Sequence, residues 1–178
     1  MTDRRSDRRH VAYHEAGHAI AAEELDVQFG MITIVPNGYS AGGVGVEGDD
    51  GFSVEGDAFS PENEHAFQAW AEQQSIIDYA GHAAIVVLLG IGDMSHKSAL
   101  ANGASDDFIK ARRRLNGNRR RMDRAKARAV DIITGRVKDV HTVADALLKH
   151  QTLDSQSVEM LLAWGTLTGP WGTSLQSP

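Results

Sequence analysis

Five consecutive residues could do chemistry together: His14-Glu15-Ala16-Gly17-His18. On a helix, four residues at about 100° each return to nearly the same face one turn along, so both imidazoles can reach one metal ion. Glu15 then lies about 100° round the axis, beside the metal rather than on it, where it can take a proton from an activated water. Two imidazoles, one further protein ligand and an open fourth position suit Zn2+. Zinc polarises a carbonyl and lowers the pKa of its water to about 7. With Glu15 passing the proton on to a leaving amine, the reaction is hydrolysis of a peptide bond. Two details set this helix apart from a solvated one. Gly17 in mid-helix costs about 1 kcal/mol relative to alanine, which implies a close approach to the backbone. His14 falls on the less polar side, with Val11, Ala12, Ala19 and Ala22, where leucine would be the ordinary choice.

The motif supplies two protein ligands, so a third must come from elsewhere. A downstream histidine in the extended form of the motif would stand at position 24, which is Glu24. The distal candidates are His65, Asp78, His82, Asp93, His96, Asp106 and Asp107. Pattern alone does not choose among them, although Asp106 and Asp107 follow a glycine at a helix start.

These residues must be positioned by a single ordinary domain. The chain has 178 residues, 42% hydrophobic and 24% charged, which is globular composition. Aromatics are 6%, which favours helices packed through Ala, Leu, Val and Ile over an aromatic-rich sandwich. There is no cysteine, which excludes a disulfide scaffold, a cysteine zinc finger, an iron–sulfur cluster and a thiol nucleophile. A net charge of −6 argues against a dedicated nucleic-acid binder. The longest apolar run, 83–91, falls short of the about 20 residues that span a bilayer, and residues 1–10 lack an apolar signal core. A cytoplasmic protein without a membrane segment is the expectation. The stretch 91–98 has Ile91 and His96 where a phosphate-binding loop needs glycines, so no built-in ATP motor is expected.

Periodicity predicts a helix over 9–25 carrying the motif, then a β-branched strand over 31–35 stopped by Pro36-Asn37-Gly38. A glycine-rich strand follows at 42–47 and an acidic loop at 48–63. Ser60 and Pro61 read as the N-cap and first position of a long helix, whose second half, apolar almost all round, should be the central buried helix. After a loop at 90–103, helices are expected over 106–115, 119–136, 138–150 and 155–164. Asn116-Gly117-Asn118 interrupts the first two, and Thr152-Leu153-Asp154 caps the last. The expected architecture is α+β, mainly α, a helical metallopeptidase domain with a small β-sheet. It spans 1–164, and 165–178 form a flexible tail.

At this point the sequence resembles a family. Ala12-Tyr13-His14-Glu15-Ala16-Gly17-His18-Ala19 is similar to the protease domain of the FtsH-type AAA+ zinc metalloproteases. Ile32-Thr33-Ile34-Val35-Pro36 resembles the strand after that family's motif helix. Ala80-Gly81-His82-Ala83-Ala84 resembles its G-G-R-A-A-E-E segment, and Gly103-Ala104-Ser105-Asp106-Asp107 its G-A-S-N-D. Leu147-Leu148-Lys149-His150-Gln151-Thr152-Leu153-Asp154 is similar to the segment near its C-terminal helices. The resemblance implies Asp107 as the third zinc ligand, with Asp106, in the place of Asn, orienting a ligand or the water. The chain departs from the family in Ile85-Val86, where it has Glu-Glu, in His82, where it has Arg, and in lacking the membrane and ATPase parts. It reads as a stand-alone peptidase domain.

Without a motor, such a peptidase would cut unfolded proteins, peptides or flexible segments, or would need a separate ATPase partner. Gly42, Gly43 and Val44, in the glycine-rich strand, are candidates to pair with an extended polypeptide substrate. His96, just upstream of Asp107, is a candidate to approach the oxyanion. The family's ring-forming habit implies a homo-oligomer. The competing class is a metal-binding but inactive relative acting as an adaptor or regulator, against which Glu15, not itself a ligand, argues. A basic run from Arg112 to Arg128 could bind nucleic acid or an acidic partner, but reads better as solvated helix faces. His82 is expected as a hydrogen-bonded core residue. His65, His141 and His150 are expected at the surface, and Trp70, Trp164 and Trp171 in packing roles.

Overall fold

A computed structural model describes residues 8–36, 43–46 and 61–164. It is mainly helical with one small sheet, as the composition predicts. In chain order the elements are α1 (Arg8–Glu24), β1 (Phe29–Thr33), β2 (Gly43–Val46), α2 (Pro61–Leu89) and α3 (His96–Ala101), then α4 (Ser105–Arg114), α5 (Arg119–Gly135), α6 (Val137–His150), β3 (Thr152–Asp154) and α7 (Ser155–Trp164). The expected turn at Asn37-Gly38, Gly42, residues 48–60 of the acidic loop, the Ser60 cap, the tail and Trp171 lie outside the described residues, while 61–63, expected as the end of that loop, open α2.

Two helices share the centre. The second half of α2 is buried as expected. So is most of α1, from His10 to Ala22 with only His14 partly open. Alanine explains how α1 can be so enclosed. Ala12, Ala16, Ala19, Ala21 and Ala22 are fully buried, and such short side chains let α2, α5, α6 and β1 close on it from several sides. The closest approach is at Gly17, where an added Cβ would lie 2.5 Å from the Ala80 carbonyl oxygen and 2.9 Å from Ala84 Cβ. The glycine in mid-helix therefore answers to α2. A Gly17→Ala change should destabilise the fold by about 1–3 kcal/mol through overpacking, despite alanine's better helix propensity. Urea unfolding measures it, and an unchanged midpoint would contradict this crossing.

The sheet has the order β2-β1-β3, antiparallel throughout, so β2 is an edge strand. Ile32 pairs with Val44 on one side and with Leu153 on the other. Two expectations change here. The first strand begins at Phe29 and includes Gly30, because a bulge between Phe29 and Ile32 accommodates it. Thr152-Leu153-Asp154 is a third strand as well as a cap: Asp154 Oδ1 accepts from the Ser157 N–H at 2.8 Å. Within the loop expected at 90–103, Ser95 caps the short helix α3, its hydroxyl accepting from the Ser98 N–H at 3.1 Å. The break at 116–118 is as predicted, with Asn116 and Gly117 at positive φ and the Asn118 side chain capping α5.

The basic run divides. Arg114 pairs with Asp78, Arg124 with Glu72 at 3.7 Å and Arg128 with Glu24 at 3.6 Å, so these cations tie α4 and α5 to α2 and α1. Lys126 Nζ lies 5.4 Å and 5.2 Å from the ring centres of Tyr79 and Phe108. Arg112, Arg113 and Arg120 form the solvated faces. Trp164 does not pack as expected: it is 55% exposed at the end of α7.

Candidate metal centre

His14 and His18 point the same way from α1, as their spacing requires. Their Nε2 atoms lie 3.1 Å apart and their rings stand nearly perpendicular, at 86°. Asp107, in the first turn of α4, completes the group. Its Oδ2 lies 3.1 Å from His14 Nε2 and 3.6 Å from His18 Nε2. In tetrahedral coordination at about 2.0–2.1 Å from zinc, ligand atoms stand about 3.3 Å apart. The three separations bracket that value, so the donors fit one face of such a site. Among the described residues this is the group of His and carboxylate side chains able to hold a metal ion.

The turn before α4 aims the third ligand. Gly103 has φ 83°, a conformation that side chains disfavour, and it lets the chain reverse between α3 and α4. His10 Nε2 lies 3.0 Å from the Asn102 carbonyl and ties that turn to α1. Asp106 and Asp107 then sit where the helix N-terminus favours negative charge.

His18 is fixed by its other nitrogen. Nδ1 donates to the Ile77 carbonyl at 2.7 Å, which leaves the Nε2 lone pair for the metal. Nothing in the sequence could single out that main-chain oxygen. Gly81 is the second residue that sequence reasoning missed. A Cβ there would lie 2.4 Å from His18 Nε2 and 2.8 Å from His14 Cε1. A glycine inside an apolar helix was the available signal, as at Gly17.

Charges in the group are coupled. Burial opposes ionisation of Asp107, but hydrogen bonds from His14 and His18 hold its carboxyl well below the usual range. Burial likewise opposes charge on His18, yet the Asp107 hydrogen bond and the charges of Asp107 and Glu15 push it up to about 9. The metal-free protein thus keeps His18 protonated at neutral pH, and that pair stabilises the fold below pH 6.5 and stops doing so as the pH rises through about 9. Metal loading at pH 7 should release about one proton per site, and apparent affinity should rise with pH until about 9. Calorimetry in buffers of different ionisation enthalpy measures the release, and a proton-neutral titration would contradict the pairing. Glu15 is buried at 6% exposure, and that burial raises its carboxyl pKa against the lowering influence of His14 and His18. Among the described residues nothing hydrogen-bonds its carboxylate.

The other sequence candidates are elsewhere. Asp106 is exposed and takes no part in the hydrogen bonds of the group, because one residue along α4 turns it away from Asp107. His96 is exposed on α3, its ring 6.1 Å from that of Phe108 rather than among the donors. Asp78 pairs with Arg114. His82 is fully buried and bonds the Asp93 carbonyl at 2.8 Å, a core role as expected. The Asp93 carboxylate accepts from the Ser95 N–H. His65 and His150 are exposed, and His141 is exposed but bonds the buried Tyr13 hydroxyl at 2.7 Å. Gly43 and Val44 lie in the edge strand β2. No helix among the described residues is long and apolar enough to cross a membrane. A scan against protein-family models and a search of curated proteins return no match to this chain.

Proposed function

We propose that this chain is a zinc-dependent metalloendopeptidase of the FtsH-like type, cutting unfolded proteins, peptides or flexible segments. The observation that carries this reading is the convergence of His14 Nε2, His18 Nε2 and Asp107 Oδ2 beside a buried carboxylate that is not a ligand, Glu15. His14, His18 and Asp107 would hold the zinc, which when bound would supply a Lewis acid for the scissile carbonyl and lower the pKa of a water. Glu15, beside those donors and not one of them, is the general base that would take a proton from the attacking water and pass it to the leaving amine. A buried carboxylate with a raised pKa suits the task, because its affinity for the proton is closer to neutrality than an exposed glutamate's. The Ile77 carbonyl holds His18 in the tautomer that ligates. Edge strand β2 supports an extended substrate, since its outer side has no partner strand among the described residues.

The test is cleavage of an unfolded protein and a mixed peptide pool, with new termini scored by mass spectrometry. Zinc-loaded protein should cut both, a chelator should stop it and added zinc restore it. Stoichiometric zinc with neither substrate cut would overturn this reading in favour of an inactive metal-binding relative or of a peptidase that depends on a separate ATPase.

A further inference from the structure

The two histidines share one helix, but the third donor is separated from His14 by 93 positions and has to be delivered by packing. Helix α4, which carries Asp107, packs on α2 and α3 rather than broadly on α1. Its position relative to the histidines is therefore set through α2. One turn of α2, residues 77–81, already serves the centre twice: the Ile77 carbonyl aims His18, and Gly81 leaves room for both imidazoles. Between them stands Asp78, 8% exposed, whose carboxylate is gripped by Arg114. Arg114 lies seven residues after Asp107 on α4, about two turns, so the two side chains leave the same face of the helix. The Arg114 guanidinium also lies over the Trp70 ring, 5.8 Å from its centre, which seats it further against α2.

We infer that the Asp78–Arg114 ion pair is a positioning device for the metal centre, holding α4 at the one height on α2 from which Asp107 reaches His14 and His18. The inference rests on the reading of this site as a metal centre. A buried ion pair has no clear stabilising purpose, since apolar residues of similar volume commonly do as well. What a carboxylate–guanidinium pair adds is a fixed geometry between two helices. His10 anchors the N-terminal end of α4 through Asn102, and Phe108 packs against Tyr79 and His82. The pair anchors the other end of α4 on the same turn of α2 that aims His18.

The experiment is a double-mutant cycle on metal affinity, with Co2+ as probe and a competing chelator, followed by its visible absorption. The arms are wild type, Asp78→Leu/Arg114→Met, Asp107→Ala, and all three changes together. Replacing both partners leaves no unpaired buried charge. The paired replacement should weaken Co2+ binding about 10–100-fold and alter the absorption band, as loss of an orienting contact does. Combined with Asp107→Ala it should add nothing, because the pair acts through Asp107. Arg114→Lys, which keeps the charge but loses the planar fork that grips Asp78 and lies over Trp70, should recover only part of the affinity. Asp78→Asn/Arg114→Gln, which also leaves no unpaired charge, provides the same cycle should the apolar pair fail to fold. An unchanged affinity and spectrum, or equal losses with and without Asp107, would overturn the inference and leave the pair a structural link. Wild type binding no Co2+ would overturn the metal-centre reading itself, a result that no variant is needed to recognise.

Discussion

Replacing Gly81 with alanine should lower metal affinity by about 10–100-fold while leaving the helices formed. The added methyl carbon would stand 2.4 Å from His18 Nε2 and 2.7 Å from its Cε1, well inside contact distance. Neither imidazole can retreat without giving up a contact. His18 is tethered to the Ile77 carbonyl and His14 to Asp107, and the two rings already touch edge to face at 4.6 Å between centres. One of these contacts must break, and each of them orients a donor. In an ordinary helix the same change would stabilise by about 1 kcal/mol, so helical content makes a useful control. A Zn2+ titration against a chelator measures the effect. Retention of affinity within threefold would mean that the rings do not lie against α2 as described.

The second large effect separates binding from chemistry. Glu15→Gln should keep stoichiometric zinc and lower peptide cleavage by about 10²–10⁴-fold, the range that a positioned general base contributes. Glutamine keeps the shape but cannot accept the proton. It also removes a carboxylate whose ionised form is disfavoured by burial, so the metal-free variant should melt no lower than wild type at neutral pH. Loss of activity together with loss of zinc would instead make Glu15 part of the metal's support. Equal cleavage by both proteins would remove Glu15 from the mechanism.

The helices were legible where their signals are local. Asn118 caps α5 and Gly117 ends the preceding turn, both within a few residues of the structure they control. The sheet was less legible. Strand β3 is three residues long and exists because β1 pairs with it from far along the chain, Thr33 with Thr152 at a separation of 119 positions. Thr-Leu-Asp alternates, exposed–buried–exposed, but over too few residues to announce a strand. Helix α1 was legible as a helix but not as a central one, since alanines bury equally well on any side that a neighbour happens to cover.

The metal centre divides along the same line. Residues 14–18 by themselves determine two imidazoles on one face with a carboxylate beside them, because the helical repeat fixes the directions of neighbours one turn apart. The pattern alone left seven candidates for the third donor, and the resemblance to a family pointed to Asp107. Only the tertiary structure brings Asp107 to 3.1 Å from His14, sends Asp78 to Arg114 instead, aims His18 through a main-chain carbonyl and clears the space at Gly81. Those four facts depend on how α2 and α4 pack. Packing is decided by contacts between residues far apart in the chain, to which no local repeat is tied.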